Sequence, residues 1–262
     1  MSDPERDPTG PRPAPARRSS ARIDAAAVRA AAPRDSSARI DATAVRAAAP
    51  RESIARIERL AVRRGGRTVI DDVSLAVGAG EIVGVVGRNG CGKSTLLACV
   101  AGVLAPRDGR VLVDGASVWG ARRERTAARR ALGYVPEAAD PPGFLLGAEL
   151  WALCAASRGA GPPSAELRAA LGLDELRATA LERMSLGQRR RACLGAAFIG
   201  PPKLLVLDEP DNGLDVKRLD ALVALVRAHA EGGGACLLAS HDAALLDQLG
   251  ARIHAMPDRP AG

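Results

Sequence analysis

Aromatic side chains are the scarcest feature of this chain, because only 2% of its 262 residues are Phe, Trp or Tyr. A chain of this length can hold one large α/β domain with an appendage, and its core must then be aliphatic. Nucleic-acid surfaces commonly stack bases on aromatic rings, so we assign the formal net charge of +7 to a basic surface and a basic tail. We expect no specific nucleic-acid partner.

Long apolar runs and patterned cysteines are also missing. No uninterrupted apolar stretch approaches the roughly 18 to 20 residues of a membrane-spanning helix, and the polar, proline-rich N-terminus does not resemble a signal peptide. The five cysteines are odd in number and lack C-x-x-C spacing, which indicates a reducing compartment rather than disulfides or a zinc site. We therefore expect a cytoplasmic protein.

The first 53 residues differ in composition from the rest, and we expect them to form a disordered tail. The segment at 20–29 returns at 37–46, a spacing of 17 residues, and a diverged third copy at 54–63 merges into the first predicted strand. One interpretation is a tandem duplication of the start of the domain, and the other is a segment that binds a lipid surface or a partner. Residues 54–262 are predicted to form the folded domain.

One stretch fits the phosphate-binding pattern G-x-x-x-x-G-K-[ST], and its residues are Gly87, Arg88, Asn89, Gly90, Cys91, Gly92, Lys93, Ser94 and Thr95. A β-branched apolar run precedes it and a helical pattern follows it, which is the context that the pattern requires. The glycines let backbone N–H groups approach a polyphosphate, and the N-terminus of the new helix adds partial positive charge. Lys93 is expected to reach the β- and γ-phosphates and Ser94 to bind Mg²⁺. The alternative is a plain glycine-rich turn, which has no need of the lysine.

The rest of the domain alternates strand and helix patterns, which predicts an α/β fold. Residues 55–62 and 68–77 read as antiparallel strands, and residues 109–115 as a hairpin. Between about residues 138 and 184 the strand signals give way to Leu- and Ala-rich helical patterns. This stretch is predicted to be a small helical subdomain inserted in the α/β domain.

Two apolar runs end in side chains that phosphoryl transfer uses. The first ends at Asp208 and Glu209, and the second, residues 235–239, is followed shortly by His241. Buried parallel strands deliver such residues to the carboxyl edge of a sheet, where the phosphate loop also lies. We assign Asp208 to Mg²⁺ beside Ser94, Glu209 to the attacking water and His241 to the γ-phosphate. Taken singly, an Asp-Glu pair is often a turn and a lone histidine is often structural.

Further landmarks make the chain resemble the ATP-binding subunits of ABC transporters over roughly residues 55–256. The stretch that resembles the family's LSGGQ signature consists of Met184, Ser185, Leu186, Gly187 and Gln188. The stretch after Glu209 resembles the family's D-loop and ends at Asp215. The resemblance implies a P-loop NTPase core of the ABC type, with an antiparallel β subdomain and an inserted helical subdomain, that hydrolyses ATP with Mg²⁺.

The resemblance also implies a head-to-tail homodimer. Ser185 and Gly187 of one copy would close on the γ-phosphate held by Lys93 of the other, and Asp215 would connect the two sites. A hydroxyl and an N–H at a helix N-terminus suit an anion. The implied role is an ATP-binding subunit, peripheral to the inner face of the plasma membrane, that powers a separately encoded integral membrane permease.

The chain departs from the family pattern at three places, the first of which covers two residues. Arg63 and Arg64 stand where the family often carries an aromatic that stacks on adenine, although a guanidinium plane can also stack on a purine. Glu137 stands at the Q-loop glutamine, where it can still bind Mg²⁺ or a water. Glu137 at this position and Leu186 in the signature resemble the residues that exporters of the ABC-2 type carry there. This resemblance favours export.

The alternative function is a soluble ABC ATPase that acts on ribosomes, DNA or cofactor assembly. That class usually shows two fused ATPase domains, or a long coiled coil in place of the helical subdomain. The sequence shows neither, which favours the transporter subunit.

Overall fold

The computed structural model describes residues 53–257. The tail predicted for residues 1–53, with its repeats at 20–29 and 37–46, lies outside the described residues except for Ser53. The described strands are β1 (Ser53–Arg64), β2 (Arg67–Gly78), β3 (Ile82–Val86), β4 (Asp108–Val113), β5 (Ala116–Ser117), β6 (Leu132–Val135), β7 (Leu204–Asp208), β8 (Ala235–Ala239) and β9 (Arg252–Ala255). The helices are α1 (Lys93–Val100), α2 (Arg122–Arg130), α3 (Gly147–Arg158), α4 (Ala165–Leu171), α5 (Leu186–Phe198), α6 (Val216–Glu231) and α7 (Ala243–Gln248).

Four strands form an antiparallel sheet in the order β2-β1-β4-β5. The predicted hairpin of β1 and β2 is present, and its turn is made by Gly65 and Gly66, whose φ values of 55° and 78° lie in the left-handed region. Glycine adopts that region without a steric penalty from a Cβ. This turn sets the end of the hairpin beside the phosphate loop.

The second sheet is parallel, with strands in the order β6-β7-β8-β3-β9. Its central strands β7 and β8 are buried along their whole length, because helices cover both faces of such a sheet. Parallel strands bring their carboxyl ends to one edge, so the ends of β3, β7 and β8 are neighbours. The edge predicted from the two apolar runs is confirmed.

The helical region contains α3, α4 and two short 3₁₀ turns, Asp174–Leu176 and Leu181–Arg183. Its core joins Trp151, Leu167 and Leu171 to the buried face of α5. Residues 138–146 precede the first of these helices, and the Pro141-Pro142 pair explains their irregular backbone, since proline has no N–H and restricts the residue before it. The fold class is the one predicted, an α/β domain with antiparallel and helical subdomains. Within residues 53–257, no helix is both long and apolar enough to cross a membrane.

Candidate functional site

The phosphate loop joins β3 to α1 through a backbone that only glycine tolerates at several positions. Gly87, Gly90 and Gly92 have φ values of 153°, 79° and 108°. A Cβ on Gly87 would lie 2.7 Å from the Sγ atom of Cys91, and one on Gly92 would lie 3.2 Å from the carbonyl oxygen of Val69. These glycines therefore let the loop fold tightly over its neighbours and leave its backbone open to a ligand.

Lys93 begins α1 and is only 7% exposed. Its Nζ atom donates a hydrogen bond of 3.0 Å to the carbonyl oxygen of Gly87, at the opposite end of the loop. The ammonium group is thus held across the loop, next to the N-terminus of α1, where an anion is favoured. The side chain of Cys91 is buried against Gly87, so it is the backbone of Cys91 that belongs to the loop surface.

A pocket of about 410 Å³ opens between the phosphate loop and the hairpin of β1 and β2. Its lining residues are Arg64, Arg67, Val69, Gly90, Gly92, Lys93, Ser94 and Thr95. Arg88 and Asn89, which were also assigned to the nucleotide, belong to the loop but do not line this pocket. The pocket therefore extends from the predicted phosphate end to Arg64, one of the two arginines that stand where the family often carries an aromatic.

Asp208 ends β7 with its side chain buried. Burial raises the pKa of Asp208, and the negative charge of Glu137 raises it further, while the Ser94 hydroxyl, the Glu137 backbone and Arg190 oppose the rise. Among the described residues, no hydrogen-bond donor reaches its Oδ1 atom. A buried carboxylate oxygen without a donor is a natural place for a cation, so the structure brings together the three residues predicted to hold Mg²⁺.

The hydroxyl and carboxylate oxygens of Ser94, Asp208 and Glu137 are ligands of the kind that Mg²⁺ prefers. Across residues 53–257, no group of three or more His, Cys, Asp or Glu side chains converges as it would in a metal site built by protein alone. That finding fits Mg²⁺, which usually takes one or two carboxylates and completes its shell with phosphate oxygens and water.

Glu209 follows Asp208 in a strained conformation, with a φ of 46°. Its N–H donates to the carbonyl oxygen of Ala239 at 2.9 Å, which ties it to the end of β8. One carboxylate oxygen accepts a hydrogen bond of 3.2 Å from the N–H of His241, and the other lies 3.3 Å from the Nε2 atom of that histidine. Burial raises the pKa of Glu209, and His241 opposes the rise. Strain of this kind persists only where the surrounding structure holds the residue in place, as the bonds to Ala239 and His241 do here.

The predicted signature stands at the start of α5. Ser185 caps this helix, because its hydroxyl accepts from the N–H of Gln188 at 3.2 Å while the Gln188 side chain accepts from the N–H of Ser185 at 2.9 Å. The side chain of Leu186 is 67% exposed. A Cβ on Gly187 would overlap the carbonyl oxygen of Gly213, so the signature packs directly on the segment that leads to Asp215.

Asp215 caps α6, where its Oδ1 atom accepts from the N–H of Arg218 at 2.8 Å. The neighbouring segment is fastened to the end of β8 through Ser240, whose hydroxyl donates to Asp211 at 3.0 Å and accepts from the N–H of Asp242 at 3.0 Å. No role was predicted for Asp211 or Ser240. Together these bonds connect the carboxyl edge of the parallel sheet to the predicted D-loop.

Comparison with known proteins gives the family. Residues 70–212 match the family described as ABC transporter. The cobalt import ATP-binding protein CbiO of Rhodobacter capsulatus is 35% identical over 197 residues, which cover 72% of this chain and 70% of that protein. The chain belongs to the ABC transporter family.

Other relatives agree with this assignment. The cytochrome c biogenesis ATP-binding export protein CcmA of Nitrobacter hamburgensis is 34% identical over 188 residues, 68% of this chain and 87% of that protein. A solved ATP-binding subunit of an ABC transporter superposes with a TM-score of 0.70 at 25% identity and covers 78% of this chain and 86% of its own. The predicted enzyme class, an ABC ATPase that binds ATP, is confirmed, whereas these relatives do not assign the chain to the ABC-2 branch.

One buried arginine of this ABC domain was missed. Arg190, on α5, is 3% exposed and donates to the carbonyl oxygens of Pro136 at 2.8 Å and Glu137 at 2.7 Å. Its Nη1 atom also lies 3.5 Å from the carbonyl oxygen of Asp208. Burial lowers the pKa of this guanidinium, and the charge of Asp208 opposes that change. Helical spacing could have indicated that Arg190 is buried. Leu194 and Ala197, four and seven residues further on, are apolar and mark the buried face of the helix on which Arg190 also lies.

Proposed function

We propose that this chain is the ATP-binding and hydrolysing subunit that powers a separately encoded membrane permease. The observation that carries the proposal is the meeting of Lys93, Asp208 and the Glu209–His241 pair at one edge of the parallel sheet. The relatives named as ATP-binding proteins of import and export systems support a membrane partner. We place the protein on the cytoplasmic face of the plasma membrane.

The residues divide the work of hydrolysis. The loop backbone and Lys93 bind the phosphates and hold the γ-phosphate in place. Glu209, whose raised pKa moves it toward the range suited to a general base, orients the attacking water and accepts its proton. His241 holds the Glu209 carboxylate from one side and contacts the γ-phosphate from the other.

Ser94, Asp208 and Glu137 would hold Mg²⁺ in this proposal. When bound, the ion neutralises negative charge on the β- and γ-phosphates. Support comes from the buried Oδ1 atom of Asp208, which no hydrogen-bond donor within residues 53–257 reaches. Arg190 fixes the Glu137 backbone and thereby keeps this donor set together.

We propose that two copies act as a head-to-tail dimer. Ser185 and Gly187 of one copy close on the γ-phosphate held by Lys93 of the other. Asp215 connects the two nucleotide sites of the dimer. The proposal is supported by the position of Ser185 and Gly187 at the N-terminus of α5, which suits an anion. A solved ABC cassette of the same fold, 22% identical with a TM-score of 0.67, is dimeric.

Export is the direction that we propose, on the strength of Glu137 and Leu186. The names of the relatives include both import and export proteins, so they support transport without favouring a direction. The alternative remains a soluble ABC ATPase that acts on ribosomes, DNA or cofactor assembly.

Affinity purification from the native host tests this proposal. Tagged wild-type protein and the Lys93→Ala variant are recovered from detergent-solubilised membranes and from the soluble fraction, and their partners and ATPase rates are measured. We expect a polytopic membrane protein to be recovered with both, and ATPase activity with the wild type alone. Recovery of ribosomal particles or DNA from the soluble fraction, with no membrane protein, would favour the alternative.

A further inference from the structure

Two exposed arginines stand at the hairpin end of the pocket beside the phosphate loop. Arg64 ends β1 and Arg67 begins β2, directly opposite each other in the ladder. Both line the pocket, and no hydrogen bond or ion pair links either guanidinium to another residue in the described range 53–257. Arg63 differs, because its guanidinium donates to the carbonyl oxygen of Gly66 at 2.6 Å and is thus engaged in the turn.

No aromatic ring lines this pocket. The chain has five aromatic residues in all, and every one of them lies among the described residues. Trp119 and Trp151 donate to the carbonyl oxygens of Cys99 and Ala192, and Phe198 packs edge-on against His229. Tyr134 is half-buried in β6, and Phe144 is exposed before α3, outside the lining. A base bound in this pocket by one copy has no ring from that copy to stack on.

The two ends of the pocket are suited to different parts of a nucleotide. Lys93, Ser94 and Thr95 occupy the end at which the loop and the α1 N-terminus favour phosphates. Because the pocket runs from that end to the hairpin, a triphosphate held there would extend its ribose and base toward Arg64 and Arg67. A guanidinium plane stacks on aromatic faces, and stacking tolerates any base because every base has a π-face.

On the basis of the proposed function, we propose that Arg64 and Arg67 bind the base and ribose of the nucleotide, so that the enzyme accepts ATP and GTP with little discrimination. Strong discrimination requires buried polar groups that a wrong substrate leaves unpaired. The hairpin end offers only exposed guanidinium donors, and these find acceptors on either purine. Guanine presents both O6 and N7 to an arginine, so any remaining preference does not favour adenine.

Equilibrium binding of ATP, GTP and inorganic triphosphate tests this assignment. The variants are Arg64→Lys and Arg67→Lys, which keep the charge and remove the planar group. Arg110→Lys is the control, because Arg110 is exposed on β4 and pairs at 3.9 Å with Glu58, outside the pocket lining. Hydrolysis is measured separately, so a protein that binds nucleotides without hydrolysing them would contradict the proposed function and not this inference.

We expect the wild type to bind ATP and GTP with dissociation constants within about fivefold of each other. Each lysine variant at the hairpin should weaken both nucleotides by about five- to tenfold, a typical loss for one stacking partner, and leave inorganic triphosphate unchanged. The control should match the wild type with all three ligands. A preference for ATP above about fiftyfold, unchanged binding in both variants, or a parallel loss of inorganic triphosphate would each overturn the assignment.

Discussion

The guanidinium of Arg190 donates a hydrogen bond of 2.7 Å to the carbonyl oxygen of Glu137. The two residues belong to different parts of the domain, since Arg190 lies on α5 behind the signature and Glu137 follows β6. The same side chain also reaches the carbonyl oxygens of Pro136 and Asp208. Arg190 therefore links α5 directly to the backbone of Glu137 and Asp208, two of the residues that we assign to Mg²⁺.

Replacement of Arg190 tests this connection. Arg190→Gln leaves buried carbonyl oxygens unpaired, so we expect the free energy of unfolding to fall by about 1–3 kcal/mol. The kcat for ATP should fall at least about tenfold with little change in KM, because the phosphate loop is untouched. Arg189→Gln is the control, because the Arg189 guanidinium also donates to a carbonyl oxygen, at 3.2 Å, but that oxygen belongs to Leu181 and not to a residue assigned to Mg²⁺. A lower melting temperature with unchanged kcat would assign Arg190 a purely structural role.

The Glu209→Gln variant tests the general base. Glutamine keeps the shape of the side chain and can still accept the 3.2 Å hydrogen bond from the His241 backbone, but it cannot accept a proton from water. Turnover should fall by a factor on the order of 100 or more, with ATP binding intact. Gel filtration with ATP and Mg²⁺ should then show a trapped dimer. If the variant turned over ATP at the wild-type rate, another residue would have to be the general base, and Glu137 is the first candidate.

Gly187→Ala separates packing from helix propensity. Alanine in a helix is normally favoured over glycine by up to about 1 kcal/mol. Here the new Cβ would overlap the backbone oxygen of Gly213, which cannot rotate away, so we expect a loss of about 1–3 kcal/mol instead. In Gly161→Ala the Cβ would meet nothing within 4 Å, and stability should stay equal or rise slightly. Denaturant unfolding of the two variants gives the comparison, and equal stabilities would contradict the close contact.

Much of the candidate site could be predicted from the spacing of residues along the chain. Lys93 and Ser94 follow from the loop pattern, and Asp208 and Glu209 follow from the rule that parallel strands end at one edge. Arg190 did not follow, because its partners Pro136 and Glu137 lie 54 and 53 residues away along the chain. A helical pattern shows which face is buried, but it does not show which carbonyl oxygens lie opposite that face.

The hairpin illustrates the same limit. The turn at Gly65 and Gly66 follows from composition, and so does the presence of arginines beside it, where we propose that the base binds. The sequence pattern pointed to Arg63 and Arg64, whereas Arg64 and Arg67 line the pocket and Arg63 closes the turn. The difference depends on the alternation of side chains along two paired strands, and their register is irregular between Val62 and Arg63. A shift of this kind changes which side chain faces a ligand.

The last prediction concerns the charge of Asp208. Burial raises the pKa of this carboxyl above its unfolded value, so the folded protein holds the proton more tightly than the unfolded chain does. Ionised Asp208 therefore lowers stability at neutral pH, and this loss disappears as the pH falls through the raised pKa. Without nucleotide or Mg²⁺, Asp208→Asn should raise the melting temperature at pH 7.5 by about 2 °C or more, and by less near pH 4.

Asp220→Asn, on the exposed side of α6, is the matched control and should change the melting temperature little at either pH. Addition of ATP and Mg²⁺ should stabilise the wild type more than Asp208→Asn, because a bound cation favours the ionised carboxylate that asparagine lacks. A lower melting temperature for Asp208→Asn at pH 7.5, or a difference that does not shrink toward pH 4, would show that the buried carboxylate is satisfied by the protein itself. In that case Asp208 would act as a structural acceptor, and the assignment of Mg²⁺ to this edge of the sheet would rest on Ser94 and Glu137 alone.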